Sequence, residues 1–195
     1  MPRIVRLATA LAAAALSLAC GAASAGQMAN GWAGHKAPIV GGAPMYPSRT
    51  IVENAVNSKD HTTLVAAVKA AGLVDTLNGP GPFTVFAPVN SAFDALPAGT
   101  VDTLLKPENK ATLVKILTYH VVAGRISARD LIARARAHGG TTELTTVEGG
   151  KLTVSGENGV WYVTDEKGGR ARITQADVFQ KNGVIHVIDA VLLPQ

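Results

Sequence analysis

The hydrophobic period changes near Gly139-Gly140, and this change restricts the fold of the 195-residue chain more than any other feature. Before it, apolar residues recur at helical spacing. Ile51, Val52 and Val56 form one set, with Ser48 as a candidate cap. Leu64, Val65, Val68, Ala71 and Leu73 form a second, which predicts a helix over residues 62–72 closed by Gly72. Phe93 and Leu96 follow a cap at Asn90 or Ser91, with Asp94 placed for a capping box. Val101, Leu104 and Leu105 mark another short helix. Leu113, Ile116 and Leu117 mark one that opens near Pro107, where a missing N–H costs nothing. Ser127 caps a further helix carrying Leu131 and Ile132. Past the glycine pair, Leu144, Val147, Leu152, Val154, Val160, Tyr162, Val163, Ile173 and Val178 fall in short alternating pieces. Gly-Gly, Glu-Asn-Gly and Lys-Gly-Gly turns separate them, the pattern of an antiparallel meander. Two apolar runs, residues 83–87 and 184–193, read as buried strands. Helices first and strands afterwards favour an α+β domain over repeated βαβ units.

The N-terminus obeys a different logic. Arg3 and Arg6 precede an apolar run over residues 7–19, and small residues end in Ala23-Ser24-Ala25. These are the three parts of a secretory signal peptide, and the run is too short to span a bilayer. Residues 1–25 are therefore expected to be a cleaved signal, residues 26–46 a loose Gly-, Ala- and Pro-rich extension, and residues 47–195 the folded domain. A rival reading makes Cys20 a lipidated residue, but Ser17 occupies the place where a lipoprotein signal usually has Leu. Cleavage removes Cys20, the only cysteine, so the mature domain must be held by an ordinary core.

Cleavage also changes the charge argument. Without Arg3 and Arg6, the 18 Lys and Arg fall to 16 against 14 Asp and Glu, a net of +2. Such a balance supports no nucleic-acid partner. Arg134, Arg136 and His138 read as a solvated helix end that complements the helix dipole. No other stretch reads as a transmembrane segment. Nor does the chain contain G-x-S-x-G, H-E-x-x-H or a P-loop, and His35, His61 and His138 lack ligand spacing. The reading is of a protein that is not an enzyme and carries no cofactor or metal.

Three segments carry a family resemblance. Thr84-Val85-Phe86-Ala87-Pro88-Val89-Asn90-Ser91-Ala92-Phe93 resembles the first signature of fasciclin (FAS1) domains, and Asn182-Gly183-Val184-Ile185-His186-Val187-Ile188-Asp189 resembles the second. Tyr119-His120 sits between them, where the family carries a Tyr-His pair. Val89 departs from the pattern, since the family usually has Thr there. The likeness covers residues 46–194 and implies two small, mainly antiparallel β-sheets in a wedge with a layer of short helices.

The resemblance also implies a role: a secreted, extracellular or periplasmic module that binds a protein or polysaccharide of the cell surface or matrix. A carrier of an apolar small molecule, such as a carotenoid, is the alternative. In the family the region of Tyr119 and His120 is linked to cell-surface recognition. Asp177-Val178 resembles an Asp-Ile element linked to integrin recognition, with Val in place of Ile. Each has a structural reading too. Tyr119, His120 and His186 can be buried with their polar tips bonded to backbone, and Asp177 can sit at a half-buried strand edge. Gln180 and Lys181 are expected to be exposed beside Asp177.

Export predicts a mature chain beginning at Gly26. Intact mass of the protein from its native host checks this, and its thermal midpoint should be the same with and without reductant. A diacylated Cys20 at the N-terminus would refute it.

Overall fold

The computed structural model describes residues 37–195. The proposed signal peptide, Cys20 and residues 26–36 lie outside them. In chain order the elements are β1 (Ile39–Val40), β2 (Ala43–Pro44), α1 (Ile51–Ala55), α2 (Thr62–Ala71), α3 (Val74–Asn78), β3 (Phe83–Pro88), α4 (Asn90–Asp94), α5 (Thr100–Leu104) and α6 (Lys110–Tyr119). There follow β4 (Val121–Ala123), α7 (Ala128–Ala137), β5 (Thr141–Thr145), β6 (Lys151–Glu157), β7 (Val160–Thr164), β8 (Arg170–Gln180) and β9 (Gly183–Ile188). The α+β order anticipated from the change of period is present.

Instead of two separate small sheets, β3 to β9 form one seven-stranded sheet in the order β4-β3-β9-β8-β7-β6-β5. The long strand β8 joins both halves. Its first residues pair with β7 and its later ones with β9, with register shifts at Ile173/Gln175 and Gln175/Val178. Such bulges bend a strand and increase its twist. The two edges then meet: Val122 bridges Thr146, and Val147 N donates to Val121 O at 2.7 Å. The sheet is nearly closed, and two edges are removed without a further strand.

At the centre, β3 and β9 run parallel, from Phe83 opposite Gly183 to Pro88 opposite Ile188. Both strands are buried on both faces, which is why they read as continuous apolar runs. Val85, Ala87, Ile185 and Val187 face a core shared with Ile51, Leu64, Val68, Leu113 and Leu117 of the helices. Phe86 and Ile188 face a second core, closed by Leu131, Leu152, Val154, Val163 and Leu192.

Local sequence explains most boundaries, with instructive exceptions. Ser127 and Asp130 form the capping box of α7 as their types suggest, whereas α1 is capped by Thr50 with Glu53 and not by Ser48. Asn90 caps neither α4 nor its own neighbours. Its Oδ1 accepts from Thr63 N at 3.1 Å and Thr62 Oγ1 at 3.2 Å, so it caps α2 across space. Residues 39–45, expected in a loose extension, form a hairpin because Val40 and Met45 are apolar enough to enter the first core. The last strand stops at Ile188; residues 189–195 continue without strand pairing, though Leu192 is fully buried.

Asn182 locks the start of β9 to the helical layer. Its Oδ1 accepts from Ile51 N at 3.1 Å, while Nδ2 donates to Leu77 O at 2.7 Å and Gly79 O at 3.0 Å. Gly183 follows because any Cβ there would collide with the Phe83 carbonyl oxygen. Removing the amide strands buried backbone partners, each worth about 1–3 kcal/mol. Asn182→Ala should therefore destabilise the domain by about 2–4 kcal/mol, read as a lower urea midpoint with an unchanged m-value.

Candidate functional site

The residues singled out by sequence gather at the junction of α6, β8 and β9. Helix α6 packs Leu113, Ile116 and Leu117 inward, which carries Tyr119 and His120 into the protein at its C-terminal end. Tyr119 is fully buried. Its hydroxyl donates to Lys151 O at 2.7 Å and accepts from Glu166 N at 3.1 Å, tying the helix end to β6 and to the β7–β8 turn. Burial raises its pKa. His120 Nδ1–H donates to Ile116 O at 2.8 Å, and Nε2 accepts from Leu192 N at 3.0 Å. Both ring nitrogens are thus used in the neutral form. Burial pushes the pKa down to about 4, against a smaller opposing effect from the Ile116 carbonyl.

His186 is the counterpart on β9. Its Nε2–H donates to Ile126 O at 2.9 Å, leaving Nδ1 to accept from Asp177 N at 3.4 Å. The ring stacks on Phe86 with centroids 5.6 Å apart. Phe86 N in turn donates to His120 O, so each histidine meets Phe86. Burial lowers the His186 pKa as well.

Asp177 occupies one of the register shifts of β8, with φ at 58° in the left-handed region. Its Oδ1 accepts from Ala128 N at 2.7 Å, the first residue of α7. The carboxylate thus satisfies a helix-end donor and complements the dipole. Val178 is fully buried in the first core and offers no side-chain surface. Gln180, expected to be exposed, is buried as well: its Oε1 accepts from Asn54 Nδ2, and its Nε2 donates to Val178 O at 3.3 Å. Lys181 is exposed. Beside it the Arg125 guanidinium donates to Gln180 O at 3.0 Å and Lys181 O at 3.1 Å. The sequence offered no sign of Arg125, because its partners lie more than fifty residues away.

Among the described residues, several surfaces remain open to a partner. The outer face of the meander presents Thr153, Ser155, Thr164 and Tyr162, with the Arg170 guanidinium 3.8 Å above the Tyr162 ring and paired with Glu157 at 2.8 Å. On the other side, a groove of about 430 Å³ runs between the first turns of α7 and strands β7 and β8, lined by Leu131, Trp161, Arg172 and Thr174 among others. Under α1 and α2 lie two apolar cavities of only about 40 and 30 Å³. His61 borders the smaller one, and its Nε2 has no hydrogen-bond partner among the described residues. Among the described residues no three His, Cys, Asp or Glu side chains converge as a metal site would require, and no helix is long and apolar enough to cross a membrane.

A nearly closed sheet with a central parallel pair, a helical layer and an internally bonded Tyr-His pair defines a compact scaffold that presents strand and turn surfaces. The chain belongs to the fasciclin domain family, whose family model matches residues 59–194. It is 50% identical over 159 residues to Protein sll1483 of Synechocystis sp., covering 82% of this chain and 81% of that one. It is 39% identical over 145 residues to the cell surface glycolipoprotein MPB83 of Mycobacterium bovis, covering 72% and 58%. In structure it is similar to the FAS1 domain pair of the insect cell adhesion molecule fasciclin I, with a TM-score of 0.68 and 21% identity over 75% of this chain and 51% of that one.

The buried histidines predict acid sensitivity. The pKa values of His61, His120 and His186 are held below the ordinary histidine value, all chiefly by burial. The unfolded chain then binds more protons once pH falls below about 6.5, so stability is present above that pH and lost beneath it. For His120 the loss continues down to about 4. Between pH 7 and pH 5 this residue alone should remove about 2 kcal/mol, visible in urea denaturation at the two pH values. His120→Asn should lower stability at pH 7 and flatten the slope. A wild-type midpoint indifferent to pH across this range would contradict the assignment.

Proposed function

We propose that this protein is a secreted adhesion module that attaches to protein or polysaccharide at the cell surface, with binding carried by the exposed meander and the turn between β8 and β9. Membership of the fasciclin domain family is the observation that carries the reading. The relative MPB83 is by its name a cell surface glycolipoprotein, which supports placing the partner outside the cell. The geometry adds a physical reason. Tyr119, His120 and His186 have their polar atoms bonded internally, so they act by shaping the scaffold. Recognition then falls to exposed groups on turns held by rigid strands. Near Asp177 these are its carboxylate edge and Lys181, while Val178 supports from beneath.

One such domain is monovalent, so bridging two surfaces would need a second copy or a second face. The carrier alternative would need an apolar cavity of pigment size; the apolar cavities under α1 and α2 measure only about 40 and 30 Å³, and the open groove of about 430 Å³ beside Trp161 is lined in part by polar residues such as Arg172 and Thr174.

Adsorption of purified protein to isolated cell envelopes tests the proposal. Asp177→Asn keeps an oxygen for Ala128 N while removing the charge, and Lys181→Gln removes an exposed cation. Both should weaken adsorption several-fold with the circular dichroism spectrum unchanged; Asp177→Asn, which loses the charge at the α7 dipole, should lower the thermal midpoint slightly, and Lys181→Gln should leave it in place. Wild-type protein that fails to adsorb, yet leaves its host with a coloured or lipid-like molecule, would transfer the case to the carrier reading.

A further inference from the structure

Four Asn-Gly pairs stand in the sequence, at residues 30–31, 78–79, 158–159 and 182–183. In such a pair the glycine nitrogen can attack the asparagine side chain, because no Cβ on the glycine hinders the approach. Residue type alone does not rank the four. The first lies outside the described residues. The structure separates the other three by whether their two reacting groups are already engaged.

Asn182 is buried, and its amide is taken up by Ile51 N, Leu77 O and Gly79 O. Gly183 is buried with it. Asn78 is exposed, but its Oδ1 accepts from Thr50 Oγ1 at 2.7 Å, and Gly79 N donates to Thr76 O at 3.2 Å. The third pair differs on each count. Glu157 is opposite Val160 in the ladder, so Asn158 and Gly159 are the two central residues of the β6–β7 hairpin turn. Their φ angles of 51° and 80° are both left-handed, as a type I′ turn requires. The ladder closes at Glu157 and Val160, and the two residues beyond it have no strand opposite. Both are exposed, and neither the Asn158 amide nor the Gly159 N–H has a hydrogen-bond partner among the described residues. A Cβ built on Gly159 would meet nothing within 4 Å, so the attacking nitrogen is uncrowded.

We propose that Asn158 is a site of spontaneous deamidation, with water as the co-reactant and ammonia as the leaving group. Gly159 N gives up its proton and attacks Asn158 Cγ. The N–Cγ bond forms, the Cγ–Nδ2 bond breaks, and the nitrogen departs as ammonia with that proton. Water then opens the cyclic imide. Opening at Cγ yields an aspartate, and opening at the main-chain carbonyl carbon yields an isoaspartate, whose backbone is longer by a methylene. Either product adds a negative charge beside Glu157, whose carboxylate pairs with Arg170 at 2.8 Å. The isoaspartate also lengthens a turn whose two-residue loop sets the register of β6 on β7. Neither consequence depends on the adhesion reading.

Peptide mapping tests the proposal. The mature protein is kept folded at mildly alkaline pH, which favours loss of the amide proton, and is digested with trypsin at intervals. Asn158 is the only asparagine of the tryptic peptide 152–167, and Asn182 is the only one of 182–195. The acid form should accumulate in 152–167 at least about tenfold faster than in 182–195, because a buried pair reacts only through local opening. Electron-transfer fragmentation should identify part of it as isoaspartate, and incubation in heavy-oxygen water should place a labelled oxygen at Asn158. In protein unfolded by urea the two peptides should convert at similar rates, which assigns the difference to the fold. Equal rates in the folded protein would overturn the proposal, and so would conversion appearing first at Asn78 in the peptide 70–110. It also fails if folding slows Asn158 by more than about tenfold relative to urea, since the turn would then be protecting the amide.

Discussion

The parallel alignment of β3 on β9 is the contact around which the domain is arranged. It brings Phe83 opposite Gly183, a hundred positions later in the chain, and it places two doubly buried strands at the centre of the sheet. Each strand feeds both cores, because successive side chains point to opposite faces. Val85 and Ile185 serve the helical side; Phe86 and Ile188 serve the meander side. A slip of one residue would exchange the two sets. Asn182 and Gly183 prevent it at one end, through the amide bonds to Ile51, Leu77 and Gly79 and the close approach to the Phe83 carbonyl.

The same alignment decides what the polar residues do. Tyr119 and His120 arrive beside β3 at the end of α6, and their polar atoms are taken up by Lys151, Glu166, Ile116 and Leu192. His186 reaches Ile126 and Asp177 in the opposite tautomer. A buried polar atom without a partner is costly, so these contacts hold separated segments of the chain together, at the cost of stability in acid. Tyr119, His120 and His186, conspicuous in the sequence, therefore shape the scaffold from within. Of the exposed or half-exposed groups, Lys181 is anticipated by the sequence, whereas Trp161 stands out only in the fold.

Much of the architecture was legible because its causes are local. Helical spacing located α2, α6 and α7; alternation and glycine turns located the meander; Ser127 announced its own helix. What failed depended on partners distant in the chain. Asn90 looked like a cap for the helix it begins and caps α2 instead. Gln180 looked exposed because its neighbours are Lys181 and a turn, yet Asn54, 126 residues away, bonds it in the core.

The sequence by itself determined that this is an α+β domain with no cysteine beyond Cys20. It also determined which segments are buried and where the two fasciclin signatures lie. These follow from periodicity and residue type, which act within a few positions. Only the tertiary structure decided that the strands join into one nearly closed sheet, that Asp177 caps α7, and that the sheet splits beside Trp161 to leave a groove. Each of these depends on the register shifts in β8, and register is settled by contacts with other strands and not by the residues of the strand alone.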